Sequence, residues 1–218
     1  MPSYDAVLFD NDGVLVEPPA EEHRYAAGRA AFRAVGVETP EREHLDAIVG
    51  SVTPDQLHEV AGAYDLDAET LWDARERHDE RTQLEQFRAG TRTTYDDVAA
   101  LDDLSHPRGV VSNNHHTTVA FVLDRFDLRF DTYYGRPMTV ESLTLKKPNP
   151  HYLDRALDDL GAETALYVGD SESDVAAAHN AGLDSAFVRR AHNRDRELAV
   201  EPTHEIRSLS ELDGLVGR

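Results

Sequence analysis

Ala6-Val7-Leu8-Phe9-Asp10-Asn11-Asp12-Gly13-Val14 is the stretch whose reading decides the fold. The apolar run Ala6–Phe9 predicts a short buried strand. Asp10 and Asp12 stand just past it, and side chains at i and i+2 of a strand point the same way, so the two carboxylates crowd one site. At about 4 Å and an effective dielectric near 20, two such charges repel by roughly 4 kcal/mol. A polar Asn-Asp-Gly turn accounts for the residue types. It leaves the crowding unexplained, whereas a divalent cation would offset it.

Composition narrows the field. A chain of 218 residues can bury a sizeable core as one large domain or as a domain with a smaller insert. It has no cysteine, so it carries neither a disulfide framework nor a thiolate metal site. The N-terminus enters the first strand within a few residues, which leaves no room for a signal peptide, and no apolar run approaches bilayer length. A soluble, cytoplasmic protein is the expectation. Acidic residues number 42 against 22 basic, for a net charge of −20, and they are spread along the whole chain. That field repels nucleic acid and anionic membranes, so neither is expected as a partner.

Only Lys146 and Lys147 among the basic residues are lysines; the rest are arginine. Heavy acid loading with lysine nearly absent resembles proteins of extreme halophiles, where molar salt screens self-repulsion over a Debye length of about 3 Å. A chain that avoids lysine elsewhere yet keeps it beside Pro148 points to a position that needs a compact ammonium rather than a planar guanidinium.

Strands alternating with helices predict an α/β fold with a doubly wound parallel sheet. Strands are read at Arg108–Ser112, Asp131–Tyr134, Ala165–Val168 and Ser185–Val188, with helices over 117–126, 150–160 and 173–181 and a short helix at the C-terminus. Residues 16–90 are strand-poor and read as a helical insert, with helices over 20–35, 53–63 (opened by Thr53-Pro54) and 68–87. Arg24, Arg29, Arg33, Arg75, Arg77 and Arg81 there read most simply as a solvated, salt-bridged helix face. His115-His116 reads as the opening of a helix rather than as a metal site.

Three further segments fall just past strand ends, where open parallel sheets place their ligands. Ser112-Asn113-Asn114 offers a hydroxyl and backbone N–H groups at a strand-to-helix junction, suited to a phosphate oxygen or to plain helix capping. Lys146-Lys147-Pro148 immediately precedes a helix. Gly169-Asp170-Ser171-Glu172-Ser173-Asp174 follows a strand, and the spacing of four places Asp170 and Asp174 on one side of the first turn. Together these put four carboxylates, one hydroxyl and one lysine at one edge of a sheet. A hard, all-oxygen site of that kind suits Mg²⁺.

With these residues in order, the chain resembles the haloacid dehalogenase superfamily, in the branch of phosphoglycolate phosphatase and β-phosphoglucomutase. The resemblance rests on Asp10-Asn11-Asp12-Gly13-Val14, Val111-Ser112-Asn113, Lys147-Pro148, and Gly169-Asp170 with Asp174, and spans roughly residues 4–15 and 91–190. It implies a Rossmann-like core of residues 1–15 and 91–218 with a helical cap domain at 16–90. It further implies that Asp10 is the nucleophile that forms an aspartyl-phosphate, and that Asp12 is the general acid and base. Asp10, the Asp12 carbonyl and Asp170 would hold Mg²⁺. Ser112 and the Asn113 N–H would hold phosphate oxygens, and Lys147 would contact both phosphate and nucleophile. Asp174 would orient Lys147 or a metal-bound water.

The activity so implied is hydrolysis of a small phosphorylated metabolite, phosphoglycolate by resemblance. The alternatives are a β-phosphoglucomutase-like phosphomutase and a non-catalytic regulatory protein. Val14 stands where many members have threonine, which leaves the substrate class open, and Asp12 argues against dehalogenation because that chemistry lacks the acid/base carboxylate. Neither the oligomeric state nor the physiological substrate is legible.

Overall fold

The computed structural model describes residues 3–217. The chain divides into two compact units. The first, built from residues 1–18, 93–135 and 146–218, contains a six-stranded sheet. Its strands are β1 (Ala6–Phe9), β2 (Arg108–His115), β3 (Thr132–Arg136, whose last residue falls in the other unit), β4 (Ala165–Gly169), β5 (Asp184–Val188) and β6 (His204–Ile206), in the order β3-β2-β1-β4-β5-β6. β1 pairs in parallel with β2 and β4, and β5 pairs in parallel with β4 and β6. The expected doubly wound α/β architecture is therefore present.

That strand order fixes where chemistry can occur. The chain steps outward from β1 in one direction to β2 and β3 and in the other to β4, β5 and β6, so the order reverses between β1 and β4. A crevice opens at such a switch point beyond the carboxyl ends of the strands. Asp10 follows β1 and Asp170 follows β4, which places them on its two sides. All four residues of β1 and all five of β4 are buried, as expected of strands covered on both faces. Phe9 anchors β1 in the apolar core among Val110, Val119, Leu166 and Val168. It also meets Phe130 edge-on at 5.8 Å between ring centroids.

Helical segments of the first unit connect the strands, namely α5 (His116–Arg125), α6 (His151–Leu160) and α7 (Glu172–Asn180), and the short α8 (Asp213–Val216) follows the last strand. β2 continues to His115, past the expected end at Ser112, and His116 opens α5 as anticipated. The chain leaves and re-enters this unit side by side. Glu17 N–H donates to the Thr93 carbonyl at 3.0 Å, and Tyr95 N–H donates to the Leu15 carbonyl at 3.1 Å.

The second unit, residues 19–92 and 136–145, is helical: α1 (Glu21–Ala34), α2 (Arg42–Val49), α3 (Pro54–Gly62) and α4 (Ala68–Ala89). Thr53 and Gln56 form a reciprocal capping box ahead of Pro54, as the Thr-Pro signal predicts. Asp67 caps α4 through Thr70 N–H at 2.9 Å. Phe32, Ile48, Leu57, Leu71 and Trp72 form its apolar centre, joined by Leu143.

Two expectations are corrected here. Residues 136–145 belong with the helical unit, not with 91–218: Arg136 Nη2 lies 2.7 Å from Glu76 Oε2 of α4, and Leu143 packs in the apolar centre of that unit. Arg77 and Arg81 do form the exposed i,i+4 pairs expected of a solvated face, with Asp73 and Glu85. Arg75 turns inward instead: it pairs with fully buried Glu76 at 2.7 Å and with Asp79 at 3.4 Å, donates to the Ile48 carbonyl at 3.1 Å and stacks on Trp72. Among the described residues, no helix is long and apolar enough to cross a membrane.

One ion pair ties three parts of the first unit together. Arg190 donates to both oxygens of Asp97 at 2.7 and 3.0 Å and to the Val14 carbonyl at 3.0 Å, while Asp97 also accepts from Leu209 N–H at 2.9 Å. Removing one partner strands the other charge, at 8% exposure for the Arg190 side chain. We therefore expect Asp97→Ala to lower the unfolding free energy by about 3–5 kcal/mol in urea titrations at constant salt. A change below about 1 kcal/mol would mean the pair behaves as an exposed one.

Candidate active site

The turn after β1 brings its groups together through its own backbone. Asp10 N–H extends the sheet by donating to the Val168 carbonyl at 2.9 Å, and Asn11 N–H then donates to Asp10 Oδ1 at 2.7 Å. Gly13 follows with φ +79°, a left-handed conformation in which a β-carbon would be strained and would also overlap the Asp170 carboxyl. Glycine is thus required twice over: for the turn, and for the acid that the other strand delivers. Gly169 does the same for Asp174, whose β-carbon occupies the space a Gly169 side chain would need.

Lys147 is the hub. Its side chain is 2% exposed, and Nζ lies 3.0 Å from Asp10 Oδ1 and 2.6 Å from Asp174 Oδ1. It also donates to the Val111 carbonyl at 3.0 Å and to the Tyr167 hydroxyl at 2.6 Å. The Tyr167 hydroxyl in turn donates a hydrogen bond to the Val111 carbonyl at 2.8 Å. Burial alone would depress the lysine, but Asp10 and Asp174 outweigh it and its pKa is raised. Lys146, by contrast, is only half-buried.

Asn113 carries out a task its sequence position does not reveal. Its side chain receives Lys147 N–H at 2.8 Å and donates to the Lys147 carbonyl at 3.2 Å, clasping the lysine's main chain from both sides. Ser112 is 2% exposed, and its Oγ accepts Asn114 N–H at 3.2 Å. Asp12 is held through both oxygens: Oδ1 accepts from Asn11 Nδ2 at 2.8 Å and Oδ2 from Asn114 Nδ2 at 2.7 Å. Asn11 and Asn114 are polar neighbours of a carboxylate that sequence reading left without a role.

Asp174 is fully engaged. Besides Lys147, its Oδ2 accepts from Ser171 Oγ at 2.6 Å, Ser171 N–H at 3.0 Å and Asp170 N–H at 3.2 Å. Asp170 meets His192, whose Nε2 lies 2.6 Å from Oδ2. All seven residues expected at the site therefore lie at the carboxyl edge of β1, β2 and β4, and Tyr167, Asn114 and His192 join them.

The charge balance is lopsided. Oxygens of Asp10, Asp170 and Asp174 lie within 4.8 Å of one another, and Lys147 is the single lysine among them. Asp10 responds: desolvation pushes its pKa from the ordinary 3.8 to about 8, Lys147 opposes the rise, and the neighbouring carboxylates add to it. Burial likewise raises Asp170, against the opposing hydrogen bond from His192. A second cation is what this donor set lacks, and oxygen donors in a tight acidic pocket fit Mg²⁺. Of the three clustered acids, Asp10 and Asp170 suit it better than Asp174, whose oxygens are already committed to Lys147 and Ser171. Both protein contacts of Asp10 go to Oδ1, so Oδ2 remains available to a cation or an electrophile.

A stability signature follows from the raised acid. A folded state that holds Asp10 near 8 favours its protonated form. This stabilising contribution is complete below the unfolded value of 3.8 and is lost as pH rises through about 8. In metal-free protein, Tm should therefore decline across that window more steeply for the wild type than for Asp10→Asn, which cannot ionise. Differential scanning calorimetry at constant ionic strength, with a chelator present, reads the difference. Parallel pH profiles would refute the assignment.

Residues 7–188 match the haloacid dehalogenase-like hydrolase family. The chain is 24% identical over 217 residues to the phosphoglycolate phosphatase of Rhodobacter capsulatus, covering 97% of this chain and 96% of that protein. It is 28% identical over 190 residues to the pyrophosphatase PpaX of Bacillus cereus, covering 84% and 82%. Among solved structures, CbbY from Rhodobacter sphaeroides in complex with phosphate shares the fold with a TM-score of 0.72 at 21% identity over 96% of each chain. The matched span runs from β1 to β5 and takes in Asp10, Asp12, Ser112, Asn113, Lys147, Asp170 and Asp174. On that match the chain belongs to the haloacid dehalogenase-like hydrolase family.

Proposed function

We propose that the protein is a Mg²⁺-dependent phosphatase that hydrolyses a small phosphomonoester through a phosphorylated Asp10. The observation that carries this reading is the placement of Lys147 Nζ between Asp10 and Asp174, with Asp10 Oδ2 left open at the switch point of the sheet. In this reading Asp10 attacks phosphorus, the bond to the ester oxygen breaks, and the leaving alkoxide takes a proton from Asp12. Asp12 then removes a proton from water, which attacks phosphorus in turn, breaks the bond to Asp10 and frees inorganic phosphate. One difficult displacement becomes two easier ones.

Lys147 favours the ionised form of Asp10 and aims it, Mg²⁺ would supply the charge that Lys147 alone leaves short, and Asp174 keeps Lys147 in place. Ser112 and the Asn113 N–H are assigned to the phosphate oxygens. Mg²⁺ would be held by Asp10, the Asp12 carbonyl and Asp170, and when bound it would neutralise phosphate charge so that an anion can approach an anion. The paired amides on Asp12 support its role, because a carboxyl held at both oxygens is fixed in direction. Phosphoglycolate is the first substrate to try, on the likeness to a phosphoglycolate phosphatase; pyrophosphate is the second, on the likeness to PpaX.

A phosphomutase would need arginines of the helical unit to grip a second phosphate. Arg77 and Arg81 are engaged with Asp73 and Glu85, and Arg75 with Glu76, so these three are not set aside for a phosphate. Phosphate release from p-nitrophenyl phosphate in molar KCl tests the reading. We expect turnover that requires Mg²⁺ and that falls by at least about three orders of magnitude in Asp10→Asn. Turnover that survives the substitution, or that ignores a chelator, would overturn it.

We also propose that the acidic surface is an adaptation to high salt. It is supported by the net charge of −20 together with the near-absence of lysine. Salt screens like charges, so the midpoint of thermal unfolding should climb between about 0.1 and 2 M KCl. A flat or falling midpoint would sink this reading and leave the catalytic one untouched.

A further inference from the structure

Asp170 is held from outside the strand that delivers it, by the loop that follows β5. Asn193 is 2% exposed; its Nδ2 donates to the Asp170 carbonyl at 2.8 Å and to the Val188 carbonyl at 3.0 Å. Its Oδ1 accepts Arg190 N–H at 2.7 Å, so the turn 190–193 is closed on itself and stitched to the ends of both β4 and β5. Arg190 adds the anchor to Asp97 and to the Val14 carbonyl, next to the turn that carries Asp10 and Asp12. Arg189 secures the other limb through the carbonyls of Asn193 and Arg196. The loop is therefore tied down at several points, and next to Asn193 it carries His192.

His192 Nε2 lies 2.6 Å from Asp170 Oδ2, and that same oxygen borders the space left by the missing Gly13 side chain. His192 thus holds one oxygen of a carboxylate that lies within 4.8 Å of oxygens of Asp10 and Asp174. The cluster of possible ligand atoms within 4.8 Å of one another comprises Asp10, Asp170 and Asp174, and a His192 nitrogen is not among them. The imidazole thus stands behind the carboxylate and not beside it in the cluster.

We propose that His192, beside Asn193 in the same loop, is a positioning residue that fixes the Asp170 carboxylate for divalent-cation binding by holding its Oδ2. The proposal rests on the reading that Asp170 is a metal ligand. A ligating carboxylate that is itself hydrogen-bonded loses less rotational freedom when the ion arrives, and losing such an outer partner typically weakens metal affinity by about 10–100-fold. The side chain of His192 is 30% exposed against 13% for Asp170, so replacing it opens no core cavity.

Titration calorimetry of Mg²⁺ into the purified full chain, at fixed pH and salt, measures the effect directly. We expect His192→Ala to bind Mg²⁺ about 10–100-fold more weakly than the wild type. His192→Gln, which can present an amide N–H near the position of Nε2, should recover most of the loss, while the shorter His192→Asn should not. In turnover, the Mg²⁺ concentration for half-maximal rate should rise more than kcat falls. Circular dichroism and the metal-free Tm establish that each variant is folded. A folded His192→Ala that binds Mg²⁺ as tightly as the wild type overturns the positioning role and leaves the metal reading standing. A wild type that binds no divalent cation overturns the metal reading itself.

Discussion

The structure of the site depends on one constraint: a single buried ammonium has to serve several converging carboxylates. Lys147 Nζ lies within hydrogen-bonding reach of Asp10, Asp174, Tyr167 and the Val111 carbonyl, and little else in the neighbourhood can be understood without it. Asn113 spends its side chain on the lysine's main chain, and Tyr167 turns its hydroxyl toward the same point in a strand that is otherwise apolar. Asp174 is braced from behind by Ser171 so that its second oxygen can face the ammonium. Even so, one cation leaves Asp10 under-compensated, and its pKa climbs to about 8. A site left short of positive charge at the point where a phosphate would arrive is poised for a divalent cation.

The sheet makes the convergence possible at low cost in chain length. Parallel strands end their carboxyl termini at one edge, so Asp10 and Asp170 need only be the first residues past β1 and β4, with Asp12 and Asp174 a few residues further on. Glycine does the rest at Gly13 and Gly169, where any side chain would collide with Asp170 or Asp174. The helical unit solves a different problem in its own interior. Glu76 is wholly buried between Arg75 and Arg136, with Trp72 stacked against both guanidinium groups. Breaking such a buried pair would leave an uncompensated charge, and the pair joins the Arg136–Leu145 segment to α4 despite its distance along the chain.

Much of this was legible from local pattern. Apolar runs bounded by turn residues marked β1, β4 and β5, and the Thr53-Pro54 signal marked α3, because those features depend on neighbours in sequence. Asp10, Asp12, Ser112, Asn113 and Asp170 were singled out because they sit at or just past the end of a read strand, Asp174 by its spacing of four from Asp170, and Lys147 because it is one of two lysines, next to a proline ahead of a helix. What stayed hidden depends on distant partners. β6 is three residues long and carries no alternation to read. Helix α2, with its charged face, offered too short a stretch for periodicity to stand out. Arg136 could not be assigned to α4, nor His192 to Asp170, since neither pairing has a local signature. The one available hint for His192 was its position in a polar loop just after another strand end, where ligands of open sheets gather.

The central claim is that Asp10 becomes phosphorylated during turnover. Mass spectrometry of peptides from enzyme quenched in acid during steady-state hydrolysis, after reductive trapping of acyl-phosphates, tests it most directly. The account predicts a trapped modification on the peptide carrying Asp10, dependent on substrate and absent from Asp10→Asn. An enzyme turning over at full rate with Asp10 unmodified, or with the phosphoryl group on another residue, would contradict it.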